Sequence, residues 1–258
     1  MRKTFLLLFY GLILLSACTK DNDRSGGTKL HRVLSDGKVN QEFDYNSDGM
    51  VIRQTFYGFA DKKSSETIYQ YDSNKKLVKT ESFFDVSSST MTQQLTYGYT
   101  DYKYGNDGRL SEERTYSKNG SQSELRSITV PTYDANGRVV SRLQSLDNKP
   151  FNLYKYEYDN KGNVIVQESY RYEGATPILG FRSTYEHDNK KNPYVGLIVI
   201  PFSVNPNNII KHTGTNYNLT PGTPVVTTTQ TVYTKYNSNG FPVEVIEYGT
   251  STFIYQYK

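Results

Sequence analysis

The stretch Tyr133-Asp134-Ala135-Asn136-Gly137-Arg138-Val139 decides the fold of this chain. Asp134 suits the first position of a type I turn, and Gly137 supplies the left-handed residue of a three-residue hairpin loop closed by a glycine bulge. In that geometry Asp134 faces Arg138 and Tyr133 faces Val139 across a strand pair. Side chains alternate along a strand, so the tyrosine, the residue two before it and the aliphatic six after it share one face of the sheet.

The same unit recurs along the chain, and repeats are read before anything else. Its anchors are Tyr45, Tyr71, Tyr104, Tyr133, Tyr158, His187 and Tyr236, and an eighth unit begins at Tyr257. Gly49, Gly108, Gly137, Gly162 and Gly240 stand at the turn position. Spacings of 21 to 33 residues, with one gap of 49, are too irregular for a strict solenoid but suit serial hairpins. Pairs such as Tyr156 and Tyr158 with Val164 predict a band of tyrosine and aliphatic side chains near one rim. Cross-strand aromatic pairs contribute roughly 0.2–1 kcal/mol each, which accounts for 24 tyrosines in a chain only 36% hydrophobic. Lys75 and Lys191 occupy the glycine position of their units. A left-handed lysine costs about 1–2 kcal/mol, so another turn geometry is expected there.

Farther from the turns the strands are polar on both faces, as in Lys79 and Glu81 or Glu112, Glu113 and Arg114. A lipid-facing barrel wall needs an apolar outer band, and charges at its midplane cost about 2–4 kcal/mol each, so a membrane-spanning porin is excluded. The chain is expected to be all-β, an antiparallel meander of about fifteen strands with no convincing helical period. That many strands curl, here into an open or partly closed barrel.

The first residues supply an address. Arg2 and Lys3 precede an apolar run from Phe5 to Leu15, a pattern that reads as a secretory signal over 1–17, too short to span a bilayer. Leu15-Ser16-Ala17-Cys18 resembles the bacterial lipobox, which implies lipid on Cys18, the single cysteine. Lys20-Asp21-Asn22-Asp23 resembles the tag that sends lipoproteins of gut-type Gram-negative anaerobes to the cell surface, and residues 18–27 form a flexible tether. The domain is 28–258. Without Arg2 and Lys3 the net charge falls from +4 to +2, too little for bulk attraction to nucleic acid, so no nucleic-acid partner is expected. The membrane is expected as a partner only through the lipid.

The units YDANGRV, YDNKGNV and YNSNGFP resemble the tyrosine-aspartate repeats of the Rhs and teneurin class. The whole arrangement resembles a family of bacterial surface lipoproteins with a porin-like fold. That second resemblance rests on the lipobox, on Asp188 to Pro193 followed by an apolar run, on Asn205 to Ile209, and on the closing YNSNGFPVEV. It implies a lipid-anchored outer-membrane protein exposed at the surface and carries no catalytic residue.

Between His187 and Tyr236 the repeat is interrupted by a Pro-rich segment, 192–225, holding five of the nine prolines. It is not expected to be a run of central strands. Val195 to Phe202 is its most apolar part, and Leu197 to Ile200 are expected to plug the curled sheet. The tight hairpins at the tyrosine rim contrast with varied connections at the other end, where a partner is expected.

Catalytic chemistry is sparse. His31, His187 and His212 lie in no zinc motif, and His187 reads as a stacking substitute for tyrosine. Asp44, Asn46, Asp48 and Gly49 match the opening of a calcium loop, but its twelfth position is Thr55 where Glu is needed. No nucleophile elbow or phosphate-cradling glycine loop is present, and no metal or cofactor is expected. The resulting expectation is a non-enzymatic binding module for extracellular glycan or protein, with a structural envelope component, and then a glycan-processing enzyme, as alternatives.

Overall fold

The computed structural model describes residues 28–58, 62–84, 96–197, 205–218, 223–247 and 249–258. Cys18, the signal 1–17, the tether and residues 198–202 of the apolar run lie outside the described residues. Sixteen strands are described, where the sequence predicts about fifteen. They are β1 (Leu30–Ser35), β2 (Lys38–Tyr45), β3 (Val51–Tyr57), β4 (Lys63–Tyr71), β5 (Leu77–Phe84), β6 (Thr96–Tyr104), β7 (Leu110–Asn119) and β8 (Gln122–Tyr133). The second half comprises β9 (Val139–Leu146), β10 (Lys149–Tyr158), β11 (Val164–Glu173), β12 (Thr176–Lys191), β13 (Asn207–Asn216), β14 (Val225–Tyr236), β15 (Pro242–Glu247) and β16 (Ser251–Tyr257). Each pairs antiparallel with the next in the chain, and β1 pairs with β16 through Val33 opposite Tyr255 and Leu34 opposite Ile254, which closes the barrel. Closure removes both free edges.

The repeat unit folds as its residues dictate. In the 133–139 turn the Asp134 amide donates to the Arg138 carbonyl (2.9 Å) and the Gly137 amide to the Asp134 carbonyl (3.0 Å). Asp134 Oδ1 accepts from the amides of Asn136 and Arg138, both at 2.9 Å, and Gly137 has φ +78°. Lys75 departs from expectation: it takes the same left-handed conformation, φ +63°, with its amide 3.0 Å from the Asp72 carbonyl. Two backbone bonds and two further bonds to Asp72 Oδ1 hold the turn and offset the cost of a side chain there. Lys191 has no such turn, because β12 continues through it and pairs it with Asn207 of β13, a strand paired on both sides that lies, against expectation, inside the Pro-rich segment, in its Pro-free part between Pro206 and Pro221.

In a single closed sheet only the lumen buries a side chain, so the buried set defines the inward face. Leu30, Val51, Leu77, Leu110 and Val139, fully or almost fully buried, ring the lumen at the tyrosine end. The anchors do more than pack beside them. Each hydroxyl donates to the carbonyl of the preceding unit's aliphatic residue: Tyr45 to Leu30 (2.5 Å), Tyr71 to Val51 (2.8 Å), Tyr104 to Leu77 (2.8 Å), Tyr133 to Leu110 (2.8 Å) and Tyr158 to Val139 (2.7 Å). Tyr257 continues the ladder onto Pro242 at 2.6 Å. Burial raises these phenols, to about 12 at Tyr71 and Tyr158, so each stays a donor. Tyr133→Phe deletes one rung and should cost about 0.5–1.5 kcal/mol. An unchanged denaturation midpoint would show the ladder to be incidental.

His187 cannot make this bond, and the ladder breaks there. The gap is covered by the returning chain at 205–208. Asn205 Oδ1 accepts from the Val164 amide (2.7 Å), and Asn207 exchanges bonds with Asn163 at 2.9 and 3.0 Å. Tyr236, the next anchor, turns its hydroxyl onto Asp188 Oδ2 instead (3.2 Å).

The outward face is charged along the strands. Lys79–Glu81, Lys103–Glu112 with Arg114, and Lys211–Glu186 all make ion pairs there. At the end away from the tyrosine rim, Asp36–Gly37, Gly120–Ser121, Asp147–Asn148 and Gly174–Ala175 are two-residue connections. The variety expected at that end is therefore absent from these four, while residues 59–61 and 85–95 lie outside the described residues.

Candidate functional site

Of the sequence-derived site residues, Cys18 lies outside the described residues and the others sit in or beside the turns. All seven anchors stand at the tyrosine end, and Gly49, Gly108, Gly137, Gly162 and Gly240 take φ between +78° and +89°. The calcium-loop residues do not converge: Asp48 pairs with Lys75 (3.2 Å), Asp44 lies toward Arg53 (3.9 Å), and Asn46 Oδ1 accepts from the Met50 amide. Among the described residues, no three His, Cys, Asp or Glu side chains converge as metal ligands. The His187 ring tilts against Tyr185 at 6.4 Å, and its buried Nε2 has no hydrogen-bond partner. Burial lowers its pKa against the pull of Asp159 and Asp188, which favours the neutral ring.

What the sequence reading missed lies deeper in the lumen. Val195 is exposed, but Leu197 is only 7% exposed, in the same core cluster as Phe43, Val245 and Tyr257. The segment leading to it carries Tyr194 inward, edge-on to Phe43 (6.4 Å) and to Tyr255 (6.1 Å). The chain thus turns into its own barrel at 193–197, and this insertion forms one wall of a cavity.

The cavity, about 320 Å³, is lined by Tyr185, Tyr194, His212, Tyr233, Glu247 and Tyr255 among others. Four strands build its far side. On β13, His212 lies opposite Tyr185 of β12 and Thr229 of β14, and Thr231 of β14 lies opposite Glu247 of β15. The His212 ring stacks on Tyr185, with centroids 5.0 Å apart and planes 15° apart, and its Nε2 is 3.0 Å from Ser183 Oγ. Ser183 and Tyr185 fix the ring's orientation and leave Nδ1 unengaged by that hydrogen bond. Burial raises the Glu247 carboxyl above its ordinary range, which eases retention of a proton. Tyr194 and Tyr255 are raised by burial too, Tyr194 to about 12, so both are hydrogen-bond donors at neutral pH.

A second polar cluster faces the lumen from β5 to β9. Arg142 Nη2 donates to both carboxylate oxygens of Glu113, at 3.0 and 3.1 Å. Tyr102 stands opposite Glu113, with its hydroxyl 3.3 Å from Thr80 Oγ1. Burial raises the Glu113 carboxyl and Arg142 opposes the shift, burial being the larger effect. These residues escape a sequence reading because strands polar on both faces give no sign of which face is enclosed.

Comparison with known proteins finds no matching family model. The chain is 32% identical over 163 residues to the tRNA nuclease WapA of Bacillus subtilis, a match covering 60% of this chain and 6% of that protein. It is 31% identical over 161 residues to the tRNA3(Ser)-specific nuclease WapA of Bacillus spizizenii, again across 60% of this chain and 6% of that one. The chain thus spans a small part of the curated relatives it matches. Among solved structures it resembles a porin-like protein from Bacteroides vulgatus, with TM-score 0.44, 14% identity, and 89% of this chain and 98% of that one covered. A porin-like protein from Bacteroides uniformis follows at TM-score 0.40 and 11% identity, over 90% and 99% of the two chains. A chain of the TcdB2-TccC3-Cdc42 structure reaches TM-score 0.28 at 12% identity, over 81% of this chain and 13% of that one. The expectation of a non-enzymatic module is corrected by the first two matches, whose proteins are named as nucleases.

Proposed function

We propose that the lumen cavity is an acid–base site that cleaves RNA phosphodiesters. The observation that carries this reading is that His212 and the half-buried Glu247 line one tyrosine-walled cavity. The names of the two relatives supply the substrate class, and because this chain spans only 6% of each, the activity is a proposal for this chain. It reverses the expectation that nucleic acid is no partner.

In the proposed step His212 takes the proton of a ribose 2′-hydroxyl, whose oxygen attacks the adjacent phosphorus. The bond to the 5′-oxygen breaks, and that oxygen takes a proton from the Glu247 carboxylic acid. The products are a cyclic phosphate and a 5′-hydroxyl. His212 leaves protonated and Glu247 ionised, so the step needs one group that accepts a proton and one that donates it. Tyr185 and Tyr194 offer faces for stacking a base, and the cavity falls in the range of small-ligand sites, roughly 300–1,000 Å³.

The test is incubation of the purified protein with tRNA. Cleavage is expected, and His212→Ala or Glu247→Gln should each lower its rate by about 10²-fold or more. Intact tRNA with the wild-type protein, or equal rates in the variants, would overturn the assignment.

The same reading retains a lipid on Cys18, supported by the Leu15-Ser16-Ala17-Cys18 run, and a position at the outer-membrane surface. Cys18→Ala should release the protein from the membrane fraction or leave it unprocessed. Unaltered fractionation of a processed variant would refute the anchor.

A further inference from the structure

Closing the sheet removes its two end edges, but strands of unequal length still leave stretches without a neighbour. β14 begins at Val225, and β15 reaches back along it only as far as Thr231, opposite Glu247. On its other side residues 225–230 pair in full with residues 211–216 of β13. Among the described residues, no strand and no further backbone hydrogen bond meets the free side of 225–230. Val225, Val226, Thr227, Thr228 and Gln230 are exposed there, Val226 at 60%. Alternate residues of this stretch therefore present N–H and C=O groups to whatever lies alongside. Such an edge is a template for another strand, and proteins blunt it with charge or proline. Two comparable stretches are blunted in that way. Residues 122–126 of β8 run past the end of β9 and carry Glu124 and Arg126, paired with each other at 3.0 Å. Residues 176–179 of β12 run past the pairing with β13 and carry Pro177. The stretch 225–230 reads Val-Val-Thr-Thr-Thr-Gln, β-branched at five of its six positions, with no charge and no proline.

We infer that residues 225–230 pair antiparallel with the same residues of a second copy of this chain, about a two-fold axis normal to the barrel wall at Thr228. Along β14, Thr229, Thr231 and Tyr233 turn to the cavity, while Val226, Thr228 and Val232 turn outward. An axis at Thr228 keeps those faces matched, with Thr228 opposite Thr228, Thr227 opposite Thr229 and Val226 opposite Gln230. A two-fold sets any charge near it against its own kind, which opposes association, and this stretch carries none. Threonine pairs of the kind it creates already join β6 to β7 and β13 to β14, at Thr100–Thr115 and Thr213–Thr228, 3.2 Å each. The lumen cavity and a concavity of about 510 Å³ on the outer side share Thr229 and Gln230 as lining, so the added strand also extends the wall between them. The pairing is independent of the cleavage reading.

The experiment places a single thiol on the axis. In the full chain carrying Cys18→Ala, Thr228→Cys is treated with diamide, and a disulfide between two copies is expected, because directly opposed residues of antiparallel strands stand within disulfide reach. It is read as a band of twice the chain mass that a reducing agent removes. Ser123→Cys in the same background, on the charged edge of β8, should give no such band. Sedimentation supplies the second readout. Thr228→Lys brings two cations together at the axis and should raise the dimer dissociation constant about tenfold or more. Thr228→Val keeps the β-branch and should stay within about twofold of wild type. A wild-type chain that sediments as a monomer at every concentration, equal crosslinking at 228 and 123, or a lysine variant that associates as tightly as wild type would overturn the pairing.

Discussion

Replacing Arg142 by alanine is expected to destabilise the barrel by about 3–5 kcal/mol, because it leaves the Glu113 carboxylate buried without its partner. Both oxygens of Glu113 accept from Arg142 Nη2, and the Glu113 side chain is 9% exposed. The loss should depend on pH in a defined sense. Burial already raises the Glu113 carboxyl above 4.5 in the folded state, and removing the cation raises it further. An acid so shifted favours folding most fully below its unfolded pKa, and that contribution is lost as pH rises through the folded value. The variant should therefore lie close to wild type near pH 4 and far below it near pH 8. The double change Glu113→Leu, Arg142→Met removes both charges and should recover most of the loss, since apolar replacements of buried pairs are often neutral or stabilising. Urea midpoints at the two pH values read all of this. A loss that does not vary with pH would mean that Glu113 is not held as described.

Leu197→Ala should cost about 2–5 kcal/mol through lost burial and the void left between the inserted segment and the wall. Leu197 is 7% exposed and belongs to the core cluster that also holds Leu30, Phe43, Val245 and Tyr257. Two residues away Val195 is 51% exposed, so Val195→Ala should fall within about 0.5 kcal/mol of wild type. Net stabilities run to only about 5–15 kcal/mol, so the Leu197 change is a large share of the total. It should also enlarge the cavity beside Tyr194. Matching midpoints for the two variants would show that the chain does not enter the lumen at 197.

The expected plug is thus described at Leu197, while Ile198, Val199 and Ile200 lie outside the described residues. Other departures have local causes. Lys75 takes the left-handed turn that its side chain disfavours because Asp72 supplies every bond the turn needs. His187 stands at an anchor as the spacing requires, yet lacks the hydroxyl that its neighbours use, and Asn205 and Asn207 hold the adjoining turn. The hydroxyl ladder was out of reach of a sequence reading for a related reason. Each rung joins residues from 15 to 27 positions apart through a backbone carbonyl, and a carbonyl carries no sequence signature.

The turn chemistry, the all-β class and the inward tyrosine band follow from the sequence alone, because they depend on contacts within one hairpin, where the period of two and the need for a left-handed glycine are written residue by residue. Closure of β1 on β16, the entry of Tyr194 beside the expected Leu197, and the placing of His212 and Glu247 on one cavity are decided by tertiary structure. Those depend on which face of a polar strand becomes the inside. Strands carrying polar residues on both faces leave that choice open until the sheet curls and shuts, and only then are Glu113 and Arg142 withdrawn from water and His212 and Glu247 turned into a cavity.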